Sequence, residues 1–154
     1  MRISLTLVVY FFIANIYSQN DNIPRIRFHH HNGIIIGSNI DVLIYQGFTD
    51  KKLFFVNVET SKSKNRYSIS REEVLAIKEA ISKISPNDIT NVDRNCLDGS
   101  DTEIEFSKNI VSSNSVKYSV NCLNSSDNKT AWKDYLNAVN LILDLANLKF
   151  SDLK

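Results

Sequence analysis

The strongest constraint in this chain is a helix with almost no face to give to solvent. Over residues 130–148, Lys133, Asn137, Asn140, Asp144 and Asn147 recur at steps of three and four. Those positions draw one narrow polar stripe, and nearly everything else is apolar, from Trp132 and Tyr135 to Leu145 and Leu148. A helix so broadly apolar has to be covered over most of its girth. A sheet cradling it supplies that cover; a partner docked on part of the face is the alternative. Its length would suit a bilayer, but a regular stripe of Asn, Asp and Lys does not.

Two segments upstream can build such a sheet. In residues 102–106, Thr102, Ile104 and Phe106 alternate with Glu103 and Glu105. In residues 116–122, Val116, Tyr118, Val120 and Cys122 alternate with Lys117, Ser119 and Asn121. Period-two patterning with one apolar face predicts two half-buried strands. The polar stretch 107–115 between them predicts an antiparallel hairpin, with Glu and Lys opposed on its wet face. Cys122 falls in phase with the apolar face, and Cys96 lies shortly before the first of the two strands. As the only two cysteines they allow one intramolecular disulfide; two separate buried thiols are the other arrangement. A bridge closing a loop of this size contributes roughly 3 kcal/mol. No Cys-x-x-Cys spacing points to redox chemistry.

Earlier in the chain, residues 1–18 read as a signal peptide: Arg2, an apolar run from Leu5 to Ile13, then a short exit ending at Ser18. Removing it takes Arg2 from the 18 Lys and Arg, leaving 17 basic residues against 17 acidic ones. A formally neutral body does not favour nucleic acid or an anionic membrane as a default partner. Charge is nevertheless uneven. Lys51, Lys52, Lys62, Lys64, Arg66 and Arg71 are basic, whereas Asp98, Asp101, Glu103 and Glu105 are acidic.

Residues 19–32 are expected to form a polar N-terminal segment outside the main body, with an edge strand at most around Ile23–Phe28. It ends in the chain's three histidines, His29, His30 and His31. On a strand His29 and His31 share a face, a spacing that a metal site can use, but no third ligand is signposted nearby. Gly33–Gly37 encloses three isoleucines and predicts a short buried strand. Its glycines lack the spacing of a phosphate-cradling loop, and no cofactor motif is visible elsewhere.

Strands are expected at 41–46 and 53–59, joined by a turn, followed by a polar loop over 61–66 and a short strand at 67–69. Ser70 with Glu73 three residues on forms a capping box. Val74, Ile77, Ile81 and Ile84 then mark the buried stripe of a helix that stops before Pro86. The fold expected is α+β: an antiparallel sheet with two helices packed on one face, possibly a tandem β-β-α repeat. Residues 33–150 are read as a single globular domain and 151–154 as a tail.

Cys96-Leu97-Asp98-Gly99-Ser100, Glu103–Phe106, Tyr118–Cys122 and the apolar helix over 138–145 together resemble small exported proteins of flavobacteria-type bacteria. The resemblance covers about the last 60 residues and implies a secreted or periplasmic fold. It carries over no catalytic residue.

Three functional classes are compatible with these features. The leading one is a non-catalytic binding module acting on a protein partner outside the cytoplasm, such as an inhibitor, immunity-type or accessory protein. A small metal-dependent hydrolase built on His29 and His31 is the second, and a structural envelope component the third.

Overall fold

A computed structural model describes residues 25–33, 38–86, 99–107, 114–123 and 132–153. Its strands are β1 (Arg25–Asn32), β2 (Asn39–Gln46), β3 (Phe54–Thr60), β4 (Lys64–Ile69), β5 (Ser100–Ser107) and β6 (Ser115–Asn121). Helix α1 (Arg71–Ser82) follows β4, helix α2 (Lys133–Leu145) follows β6, and a 3-10 turn spans Phe150–Leu153. All pairings are antiparallel, in one six-stranded sheet of order β4-β3-β2-β1-β5-β6. The class is α+β, with both helices on one face and packed against each other.

Alternation decides which face is sealed. Ile26, Phe28 and His30 of β1, Val42 and Ile44 of β2, Val56 and Val58 of β3, and Ile104 of β5 are all buried beneath the helices. Helix α1 answers with Val74, Ile77, Ala80 and Ile81, and α2 with Tyr135, Ala138, Val139, Ile142 and Leu143. Each such side chain removed from water contributes roughly 1.5–3 kcal/mol when large and apolar, so this single layer carries the stability of the fold.

Local signals fix the helix ends. The Ser70 hydroxyl accepts from the Glu73 N–H at 3.1 Å, and the Glu73 carboxylate accepts from the Ser70 N–H at 2.7 Å. At the far end of α2, Leu148 N–H reaches the Leu143 carbonyl at 2.9 Å and Asn147 N–H the Asp144 carbonyl at 3.1 Å. With Asn147 left-handed at φ 54, this is a Schellman closure with asparagine in the usual glycine place. The expected helix over 130–148 is therefore helical only to Leu145, because its last residues supply the cap.

The structure corrects several expectations. The segment 25–32 is no polar arm or sheet edge: β1 lies between β2 and β5 and buries Ile26 and Phe28 completely. Its alternating charges, Arg25, Arg27 and the outer histidines, hide an inward face that its few apolar residues suffice to fill. Lys64, Asn65 and Arg66 are strand rather than loop, tolerated because β4 is an edge whose polar side chains reach solvent. Val116 is half exposed, since β6 is the other edge and runs out from under the helices. Of the residues expected as a tail, 151–153 belong to the 3-10 turn, with Leu153 buried, and 154 lies outside the described residues. Four described strands precede α1 and two more lie between α1 and α2, so the tandem β-β-α repeat is not confirmed. The signal peptide, most of the Gly33–Gly37 strand and Cys96 lie outside the described residues.

Candidate binding surface

Among the described residues no helix covers the second face of the sheet, and the strand registers order it into rows. One row crosses all six strands as Lys64, Glu59, Asp41, His29, Glu103 and Ser119. The next reads Arg66, Asn57, Leu43, Arg27, Glu105 and Lys117. Oppositely charged neighbours along and between these rows pair with each other. Lys64 meets Glu59 at 2.7 Å, and Lys117 meets Glu103 diagonally at 2.6 Å. Arg27 donates to Asp41 Oδ1 through Nη2 at 2.9 Å and Nε at 3.2 Å. Exposed pairs of this kind add at most about 1 kcal/mol each, but they leave the middle of the face electrostatically self-satisfied.

His29 and His31 do point to the same, open face, as their spacing requires. Each is taken by a different neighbour. His29 Nδ1 lies 3.0 Å from Asp41 Oδ1 without hydrogen-bond alignment, and His31 Nδ1 lies 2.6 Å from Asn39 Oδ1. Among the described residues no three His, Cys, Asp or Glu side chains gather as a metal site. The two histidines are thus surface members of a paired array.

One corner of the face is built differently. Where β2 turns into β3, Gly47 N–H closes on the Leu53 carbonyl at 2.8 Å. A Cβ on Gly47 would stand 2.7 Å from the Asp50 carbonyl oxygen, so only glycine fits. The turn leaves Phe48 78% exposed and Leu53 46% exposed. Beside them Tyr45 and Phe55 lie with ring centroids 5.9 Å apart, and the Arg66 guanidinium sits 4.4 Å over Phe55 and 5.6 Å over Tyr45. Stacking of this type is worth about 0.5–1 kcal/mol at an exposed site and holds the guanidinium in place. Exposed Lys51 and Lys52 add positive charge beside the equally exposed Asp50, which accepts from the Lys52 N–H at 2.8 Å.

At the opposite end of the sheet is an open cleft of about 590 Å³, walled by the start of β2, the β3–β4 turn and the Phe150–Leu153 turn. Half of its lining residues carry hydroxyls, Ile40 and Leu148 add apolar surface, and Lys62 and Asp152 are the charged members. Asp152 is occupied in capping the Lys149 N–H at 2.7 Å, and Thr60 Oγ1 accepts from the Lys62 and Ser63 N–H groups.

Sequence reasoning passed over the aromatic corner. The meeting of Tyr45, Phe55 and Arg66 depends on register across three strands, which local sequence does not fix. Of the two cysteines, Cys122 follows β6 with left-handed backbone at φ 54, and its N–H donates to the Ser100 carbonyl at 2.7 Å.

Comparison with protein-family models, curated proteins and solved structures gives no match to this chain. No described helix is long and apolar enough to cross a membrane.

Proposed function

We propose that this chain is a non-catalytic binding module acting outside the cytoplasm, and that its ligand is a protein presenting an apolar anchor within an acidic surface. The observation that carries the reading is the corner formed by Phe48 and Leu53, exposed beside the Arg66–Phe55–Tyr45 stack. Aromatic and arginine side chains dominate binding energy where they are desolvated together. The Lys51, Lys52 and Arg66 rim makes an acidic counterpart complementary, steering encounter and setting salt dependence. The pairing across the rest of the face supports a recognition role over a reaction centre, since Asp41, Glu59 and Glu103 are each engaged by Arg27, His29, Lys64 or Lys117. Export is supported by the leader-like residues 1–18 and by the paired-cysteine arrangement expected of an oxidising compartment.

Site-specific photo-crosslinking in the producing cells tests this reading. A benzophenone amino acid replaces Phe48 in one variant and Ser119, on the far side of the same face, in another. The expected result is a discrete adduct with a different protein from position 48 alone, lost when Arg66→Glu is added. Equal adducts from both positions, none from either, or adducts only with a second copy of the chain would overturn it. The last outcome would favour a structural envelope component.

A further inference from the structure

We propose that the outer edge of β4 is a strand-addition site, taking an extended partner segment with acidic residues at every second position and apolar ones between them. The segment pairs antiparallel, as every described pairing in this sheet does. This rests on the binding role proposed above and supplies its mode of contact. β4 ends the sheet, and among the described residues no strand pairs with its outer side. The turns decide which of its main-chain groups face outward. Thr60 N–H donates to the Ser63 carbonyl at 2.8 Å across the β3–β4 turn. Antiparallel pairs alternate between bonded and non-bonded, so in this register Asn65, Tyr67 and Ile69 bond to Val58, Val56 and Phe54. The other hairpin agrees. Gly47 N–H on the Leu53 carbonyl commits Phe55, Asn57 and Glu59 to β2, leaving Phe54, Val56 and Val58 for β4. The main-chain N–H and C=O groups of Lys64, Arg66 and Ser68 therefore look away from the sheet, as a template for another strand.

The same three residues carry open-face side chains, and all three are exposed. Residues directly opposite in an added strand lie on the same face, so carboxylates two positions apart meet Lys64 and Arg66 together. Lys64 shares its charge with Glu59 at 2.7 Å, whereas among the described residues Arg66 has aromatic rings and no carboxylate. The intervening residues of the segment turn toward the helix side. There Tyr67 and Ile69 pack on the core but stay half-buried, since no described strand lies beyond β4. Apolar side chains complete that cover. The edge also runs up to the Phe48 corner, because Ile69 pairs with Phe54, next to exposed Leu53. A second copy is a poor occupant: pairing two β4 edges brings Lys64 and Arg66 of each together, and β4 has no carboxylate to oppose them. β6, the opposite edge, offers a single lysine, which Glu103 holds at 2.6 Å.

Two synthetic peptides of about eight residues, one alternating Glu with Val and one Lys with Val, test this by NMR on the intact chain. At millimolar Glu-Val peptide the Lys64, Arg66 and Ser68 amides should exchange at least about threefold more slowly. Those of Asn65 and Tyr67, already bonded to β3, should keep their rates, and the Lys-Val peptide should change none of them. Ser68→Pro removes one outward N–H and leaves the β3 ladder whole, so it should weaken Glu-Val binding at least about fivefold. If that variant does not fold, a Glu-Val peptide N-methylated at its Glu residues serves on the unaltered chain, and should fail to bind. Unchanged edge amides, an equal response to the Lys-Val peptide, or binding of the N-methylated peptide would overturn strand addition. The position-48 adduct separates this from the binding role: an adduct undiminished in Ser68→Pro keeps that role and overturns strand addition, whereas the role itself is read from the wild type alone.

Discussion

Tyr135, from the middle of α2's buried face, donates its phenolic hydrogen to the Thr102 main-chain carbonyl across 2.8 Å. That bond crosses from helix to sheet inside the core, and Thr102 passes it on through its own hydroxyl to His30. A polar thread therefore runs through an otherwise apolar layer, and each of its members has a partner. Removing the donor takes this helix-to-sheet bond away. Tyr135→Phe should cost about 1–3 kcal/mol, read as a lower urea midpoint with an unchanged denaturant slope. Burial, helped by Glu103, pushes the Tyr135 phenol far above its ordinary 10. Because the folded-state value lies above the ordinary 10, the neutral phenol's contribution is fully present below pH 10 and is lost as pH rises past it. An ultraviolet pH titration should show this phenol ionising only with unfolding.

This thread marks the boundary of what residues alone could tell. The capping box at Ser70 and Glu73 was legible because both halves of the motif are four letters of local sequence. The β5–β6 hairpin was legible because alternation and turn composition agree. The place of β1 was not, since a strand beginning Arg-Ile-Arg and ending in three histidines looks wet, and only tertiary pairing on both sides makes it central. Likewise His30 differs from His29 and His31 only in parity, which has no meaning until the strand's inner face is known. The aromatic corner needed three strands in register before Arg66 could be seen over Phe55.

The centrality of β1 is open to a direct check. Phe28 is fully buried between Val42 and Ile104 as register partners. Phe28→Ala should cost about 3–5 kcal/mol, enough to unfold a marginal domain. An edge strand would lose far less. Chemical denaturation followed by circular dichroism distinguishes the two.

Cys122 is held beside Ser100 by the 2.7 Å bond to its carbonyl, which brings it to the neighbourhood of the chain that follows Cys96. We expect the two cysteines to be bridged under oxidising conditions. Non-reducing peptide mapping should recover a Cys96–Cys122 linked peptide, and reduction should lower stability by about 3 kcal/mol. Two free thiols on alkylation without reductant would refute the pairing.

The proposed binding role rests on the corner at Phe48. Since Phe48 and Leu53 are exposed, the double variant Phe48→Ser with Leu53→Ser should keep the wild-type urea midpoint to within about 0.5 kcal/mol. The decisive measurement is retention of the protein crosslinked at position 48 by this variant and by the wild type, compared side by side at low and high salt. A loss of at least about tenfold in the variant, with wild-type retention weakening as salt rises, is the predicted result. Equal retention by both chains would contradict a binding role for this face.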